Sequence, residues 1–243
     1  MTRRSSRSRI ANVTGVMTAF VCTFAAGQTP SPQDPPDAIV AHLLTHPHGL
    51  AWLSDEDQAL LDAVKREPGR FVEAVTKALR LPDDDAALAD ADKHTRVERA
   101  LVLARELGAE NGRGPVRTLF TQASQLKTRH ADTPDIRPEG DTTAFDAKRH
   151  VLGLRRLALD VLAAFKDDHF ADAVLESVER EDLATQVVML RYLEQAAAGK
   201  AGVHERLSRM VDDERSSLHR NPAAINALRA IKASADHSPG NAP

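Results

Sequence analysis

Three of the ten histidines, His42, His46 and His48, crowd into seven residues, and they offer the clearest route to chemistry in this chain. A separation of four puts His42 and His46 on one face of a helix, which is the spacing of two zinc ligands. His48, beyond Pro47, is positioned to be the third. This set underlies one alternative reading, a metal-binding protein or a hydrolase using the histidines near residue 42. No acidic residue lies close by to complete the set. The favoured expectation is therefore histidines at a helix end, with no metal and no cofactor.

Other fragments of active-site motifs do not close. His204-Glu205 begins a zinc-protease pattern, but the second histidine it needs would stand at Ser208. Gly112-Arg113-Gly114 has the outline of a phosphate loop, yet it follows a helical pattern, and Arg117 occupies the third glycine position. A flexible turn between two helices is predicted there. Asp83, Asp84, Asp85, Asp90 and Asp92 supply carboxylates, but they lack a calcium loop's alternation, glycine and closing glutamate. Carboxylates at helix starts account for them. Glu106, Glu110, Asp160 and Glu179 fall on helices without forming an acid/base couple, and no serine sits in a nucleophile elbow. No catalytic residue is assigned.

A charge reversal remains. From Arg113 to His130 the chain carries Arg113, Arg117, Lys127 and Arg129 and no acidic residue. Arg155 and Arg156 add to it if the next helix packs alongside. Opposite charge can steer an acidic protein partner onto such a surface. The competing account is a set of solvated charges, because at about 100° per residue Arg117 and Arg129 point in different directions. Lys127 lies beside apolar positions, where its stem can cover core.

The elements that must position these residues are helices. Apolar residues make up 42% of the chain, enough for a core, while aromatics are only 4% and isoleucine is scarce. Alanine and leucine dominate, which favours helix over strand. Helices are predicted over 38–45, 54–66, 68–79, 94–110, 115–131, 145–165, 168–180, 183–198, 203–215 and 222–234. Ser54 caps one and Pro68 starts another. One short turn is expected between Pro82 and Asp92. Residues 132–143, with Pro134, Pro138 and Gly140, form the longest internal loop. The helix from Phe145 to Phe165 is the most apolar and is expected to be central, burying Leu152, Leu159 and Leu162.

Two stretches resemble HEAT-type helical repeats. Val97, Ala100, Leu101, Leu103, Ala104, Leu107 and Gly108 have the spacing of a HEAT second helix. From Arg156 to Leu193 three helices follow one another closely. The resemblance spans about half the chain and implies an all-α, irregular HEAT-like stack of antiparallel helix pairs, with a non-repeat helical bundle as the alternative. It implies a surface for partners and no particular reaction.

The amino terminus reads as a secretory signal over residues 1–27. Arg3, Arg4, Arg7 and Arg9 precede an uncharged run from Ile10, and Ala25-Ala26-Gly27 is a small-residue cleavage site. The alternative is a membrane tether formed by residues 10–27. Export to the periplasm or outside the cell is expected, without a membrane span in the mature chain. Cys22, the one cysteine, leaves with the signal. The remainder carries 28 basic and 35 acidic groups, net −7, which disfavours nucleic acid as a partner. Residues 28–37 read as a proline-rich, extended linker, 38–234 as one helical domain and 235–243 as a disordered tail. The function expected from all this is an exported, helical-repeat-like binding or scaffold protein working through protein–protein contacts.

Overall fold

Seven of the described helices begin at a start signal in the sequence, an opening proline or a capping side chain. The computed structural model describes residues 29–47 and 49–236; residues 1–28 (which include the segment read as an export signal), His48 and the last seven residues lie outside them. Eleven α-helices are present among the described residues, and no strand. They are α1 Pro36–Thr45, α2 Asp55–Arg66, α3 Pro68–Ala78, α4 Asp85–Ala89, α5 Ala91–Glu106 and α6 Gly108–Arg129, then α7 Thr143–Ala164, α8 Ala171–Ser177, α9 Leu183–Ala196, α10 Val203–Asp212 and α11 Pro222–Asp236. Two 3₁₀ turns, Gly49–Ala51 and Val178–Arg180, sit between them. Proline opens α1, α3 and α11, where its missing N–H costs nothing. Ser54, Asp84, Asp90 and Asp182 cap α2, α4, α5 and α9 by accepting backbone N–H groups of the first turn.

The expected turn at Gly112–Gly114 is instead the interior of α6, and the chain reverses four residues before Gly112, at Gly108. Gly108 has φ +75°, a left-handed conformation that costs a residue with a side chain about 1 kcal/mol or more. Gly112 is needed for a different reason. A Cβ there would lie 2.3 Å from the Ala104 carbonyl and 2.8 Å from the Phe165 ring, so its missing side chain is what lets α6 close on α5 and on the end of α7. Pro115 follows inside the same helix and is buried. Having no N–H, it leaves the Asn111 carbonyl without its usual helical donor.

Helix α7 is central, as its apolar pattern predicts. It packs on α6 and α9 and against the short α4. Leu159 and Leu162 are fully buried, whereas Leu152 is only half-buried. Every odd-numbered helix packs on the next odd-numbered one, α1 on α3, α3 on α5, α5 on α7, α7 on α9 and α9 on α11. This ladder carries one continuous apolar cluster from Ile39 to Ile231.

The proline-rich segment is not an extended solvated strand where it is described. Residues 31–34 turn back on themselves through the Asp34 N–H to the Ser31 carbonyl, and Arg70 of α3 donates to the carbonyls of Pro32 (2.8 Å) and Asp34 (2.6 Å). The last helix runs two residues past the expected end at Ser234, to Asp236.

Candidate functional site

The six basic residues singled out by the sequence do not gather on one face. Arg113 reaches the Phe165 carbonyl at the end of α7 (2.7 Å), and Arg117 forms a two-pronged pair with Asp167 just beyond it. Arg129 turns the other way, to the Asp83 carbonyl and the Asp85 carboxylate, pinning the start of α4. Arg156 makes one long contact, 3.4 Å, with the Leu152 carbonyl of its own helix. The remaining two, Lys127 and Arg155, converge. Lys127 Nζ (2.5 Å) and Arg155 Nη1 (3.0 Å) both donate to Oε1 of Glu181.

Glu181 is the residue that sequence reading missed. It follows the 3₁₀ turn after α8 and is packed beneath its two cations, its side chain 2% exposed. A single carboxylate cannot neutralise two cations, so a positive charge is left over. Arg155 is the fixed member of the trio. It is buried, donates through Nε to Ser124 Oγ (3.2 Å) and lies 5.5 Å from the centre of the Phe120 ring. That stacking suits a planar guanidinium. Lys127 is the looser member, 34% exposed on a flexible stem.

These residues form the floor of an open groove of about 620 Å³ between α6, α7 and α8. Its volume falls in the range of ordinary ligand sites. Phe120, Leu152 and Val174 supply an apolar wall, and Ser124, Thr128 and Ser177 supply hydroxyls. Lys148 and Arg180 bring the lining to four cations, against the carboxylates of Asp135, Glu181 and Asp182. Asp182 is already engaged as the α9 cap, through the Thr185 N–H and hydroxyl. Burial works against its ionisation, but these hydrogen bonds and the Arg156 charge hold its carboxyl below the usual range. The half-exposure of Leu152 now has a reason, since it faces this groove rather than the core.

The histidine cluster is built differently from its sequence spacing. His42 and His46 do share a side, but what lies between them is Asp57 of α2. His42 Nε2 is 2.6 Å from Asp57 Oδ1, and His46 Nε2 is 3.3 Å from Oδ2. His46 Nδ1 is 3.1 Å from the Gly49 carbonyl. The acid that the local sequence lacks thus comes from the next helix. Ser54 Oγ also donates to Asp57 Oδ2, and Ser54 accepts the Asp57 N–H, a reciprocal cap. The serine hydroxyl is bonded to a carboxylate and not to an imidazole, so this trio does not have the geometry of an activated nucleophile. Burial opposes ionisation of Asp57, but Ser54, His42 and His46 together hold its carboxyl below the ordinary value. Among the described residues no group of three or more His, Cys, Asp or Glu side chains is arranged to hold a metal ion. His48 lies outside them.

Of the helical carboxylates, Glu106 pairs with Lys65 at 3.3 Å. Burial raises the Asp160 carboxyl above its ordinary value, with Arg191 at 3.5 Å pulling the other way. No helix among the described residues is long and apolar enough to cross a membrane. Compared with known protein families, curated proteins and solved structures, the chain matches none.

Proposed function

We propose that this chain is an exported binding or scaffold protein, a HEAT-like stack of helix pairs that holds a protein partner in the groove between α6, α7 and α8. The observation that carries the proposal is the convergence of Lys127 and Arg155 on Glu181 beneath an open, partly apolar groove. Such a floor is preorganised and carries net positive charge in a chain that is negative overall, which is what selective capture of a partner requires. The packing of each odd-numbered helix on the next supports the repeat reading, because stacked pairs place equivalent helices side by side. The arginine-rich start and small-residue cleavage site support export.

The test is affinity capture from the native envelope extract with the mature protein and with Ser177→Trp, which fills the groove from its rim. The expected result is a partner recovered by the parent and lost by the variant, with helicity unchanged by circular dichroism. Equal recovery by both removes the groove from consideration. Intact-mass measurement of the exported protein checks the signal, and a full-length mass there rejects cleavage at Gly27.

A further inference from the structure

We infer that the groove recognises an acidic peptide segment, with carboxylates seated on Lys148 and Lys127 and an apolar side chain between them against Phe120, Leu152 and Val174. The inference rests on the binding function proposed above and names its ligand class.

The chain displays half of this recognition with its own residues. Lys148 of α7 donates to the Thr133 carbonyl (2.5 Å) and to the Asp135 carboxylate (2.8 Å), so one ammonium already grips an acidic residue and the backbone two positions before it. Lys148 is 14% exposed, while Asp135 is 92% exposed on the loop after α6. An exposed carboxylate on a loop gains little from such a pair, and a ligand carboxylate can take its place at small cost. Farther along, Lys127 is the surplus cation. Arg155 and Glu181 satisfy each other at 3.0 Å with both side chains buried, so moving Lys127 onto a ligand leaves no buried charge alone.

Ser124, Thr128 and Ser177 also line the groove; Thr128 and Ser177 donate to carbonyls of their own helices, which leaves their oxygens as acceptors for the N–H groups of a bound segment. Arg180 at the rim is exposed and, among the described residues, hydrogen-bonds the Glu176 carbonyl through one nitrogen, Nη2, which leaves donors for a further carboxylate. The apolar wall argues for a peptide over a bare anion, since a small anion would leave the half-buried Leu152 uncovered, while Phe120 and Val174 are buried behind it. After cleavage at Gly27 the chain as a whole carries −7, so an acidic segment is repelled from most of its surface and directed to this locally positive groove.

The probe is a fluorescein-labelled, end-capped peptide of alternating glutamate and leucine, titrated into the mature protein by anisotropy, beside the same peptide with glutamine for glutamate. Saturable binding is expected, weakening as salt rises. It should fall about tenfold or more for the glutamine peptide and for Lys127→Ala, a factor corresponding to about 1.4 kcal/mol. Arg180→Ala, an exposed change, gives a second measure if Lys127→Ala does not fold, and Arg209→Ala on α10 should bind as the parent does. Equal affinity for both peptides overturns the inference, as does displacement by inorganic phosphate at concentrations comparable to the peptide. If Ser177→Trp loses its captured partner while the glutamate peptide never binds, the ligand class is wrong and the groove function stands. If the peptide binds but Ser177→Trp keeps every partner, the proposed function fails and the ligand class stands.

Discussion

Arg117 on α6 and Asp167 beyond the end of α7 form a two-pronged ion pair, with Nε 2.7 Å from Oδ2 and Nη2 2.6 Å from Oδ1. The two residues are 50 apart in the chain. The pair closes the same corner that Gly112 and Arg113 close, so the middle of α6 is fixed to the α7 terminus by shape and by charge together. Burial tends to raise the Asp167 carboxyl, but Arg117, the His169 N–H and Arg113 outweigh it and hold the carboxyl below its ordinary value. Its contribution is therefore present above the unfolded aspartate pKa of about 3.9 and is lost as pH falls below that.

Arg117→Ala leaves Asp167 buried with two of its three carboxylate hydrogen bonds gone. Full loss of one partner of a buried pair costs about 3–5 kcal/mol, and the partial exposure of Arg117 reduces this to about 2 kcal/mol. Urea unfolding at neutral pH measures it. A change below about 0.5 kcal/mol would mean the pair is a surface ornament and not a corner staple.

Gly112→Ala and Gly114→Ala are expected to act in opposite directions, although both lie inside α6. At Gly112 the new methyl meets a backbone carbonyl and an aromatic ring, neither of which can move freely, and a loss of about 1–3 kcal/mol is expected. At Gly114 nothing lies within 4 Å, and alanine should stabilise the helix by about 0.5–1 kcal/mol. Thermal melts of the two variants decide it; a stable Gly112→Ala would refute the close approach of α5 and α6.

Leu159 is fully buried at the centre of α7. Leu159→Ala should cost about 2–5 kcal/mol, the transfer of the side chain plus the cavity it leaves. Denaturant titration with an unchanged m-value is the check, and a loss under about 1 kcal/mol would contradict the central place of α7.

Acid should weaken the contact of α5 with α7. His94 and His150 stack face to face, their ring centres 4.2 Å apart and their planes 3° from parallel. His94 Nδ1 is buried without a hydrogen-bond partner, and Nε2 is 3.2 Å from Glu98. Burial lowers the His94 pKa from 6.5 and the neighbouring His150 lowers it further, with Glu98 opposing both. A depressed folded pKa means that the unfolded chain takes up this proton first. Stability should then fall as pH drops below about 6.5, and His94→Phe should flatten that part of the profile. The same slope in the parent and His94→Phe, followed by urea midpoints between about pH 7.5 and 5.5, would dismiss the stack as its source.

Local signals made much of the architecture readable. Ser54 before three acids, Pro68 after Glu67, and the leucine spacing from Phe145 to Phe165 each act within one or two helical turns, so their effects are written in consecutive residues. The loop at 132–143 is legible for the same reason. The glycine pair was misread because Gly112 answers to Phe165, 53 positions away, and a close approach between helices leaves no local mark.

The sequence by itself determined that the chain is helical, roughly where its helices start, and which of them is central. Only the tertiary structure decided what the charged residues do. Lys127 and Glu181 are 54 positions apart, Arg155 and Glu181 are 26 apart, and His42 meets Asp57 from the next helix. Helix formation is governed by neighbours within about four residues, whereas an ion pair depends on which helix faces which. That choice is made by the burial of apolar faces along the whole chain, so the six cations could be found in the sequence, but the carboxylates that Arg117, Lys127, Arg129 and Arg155 hold could not.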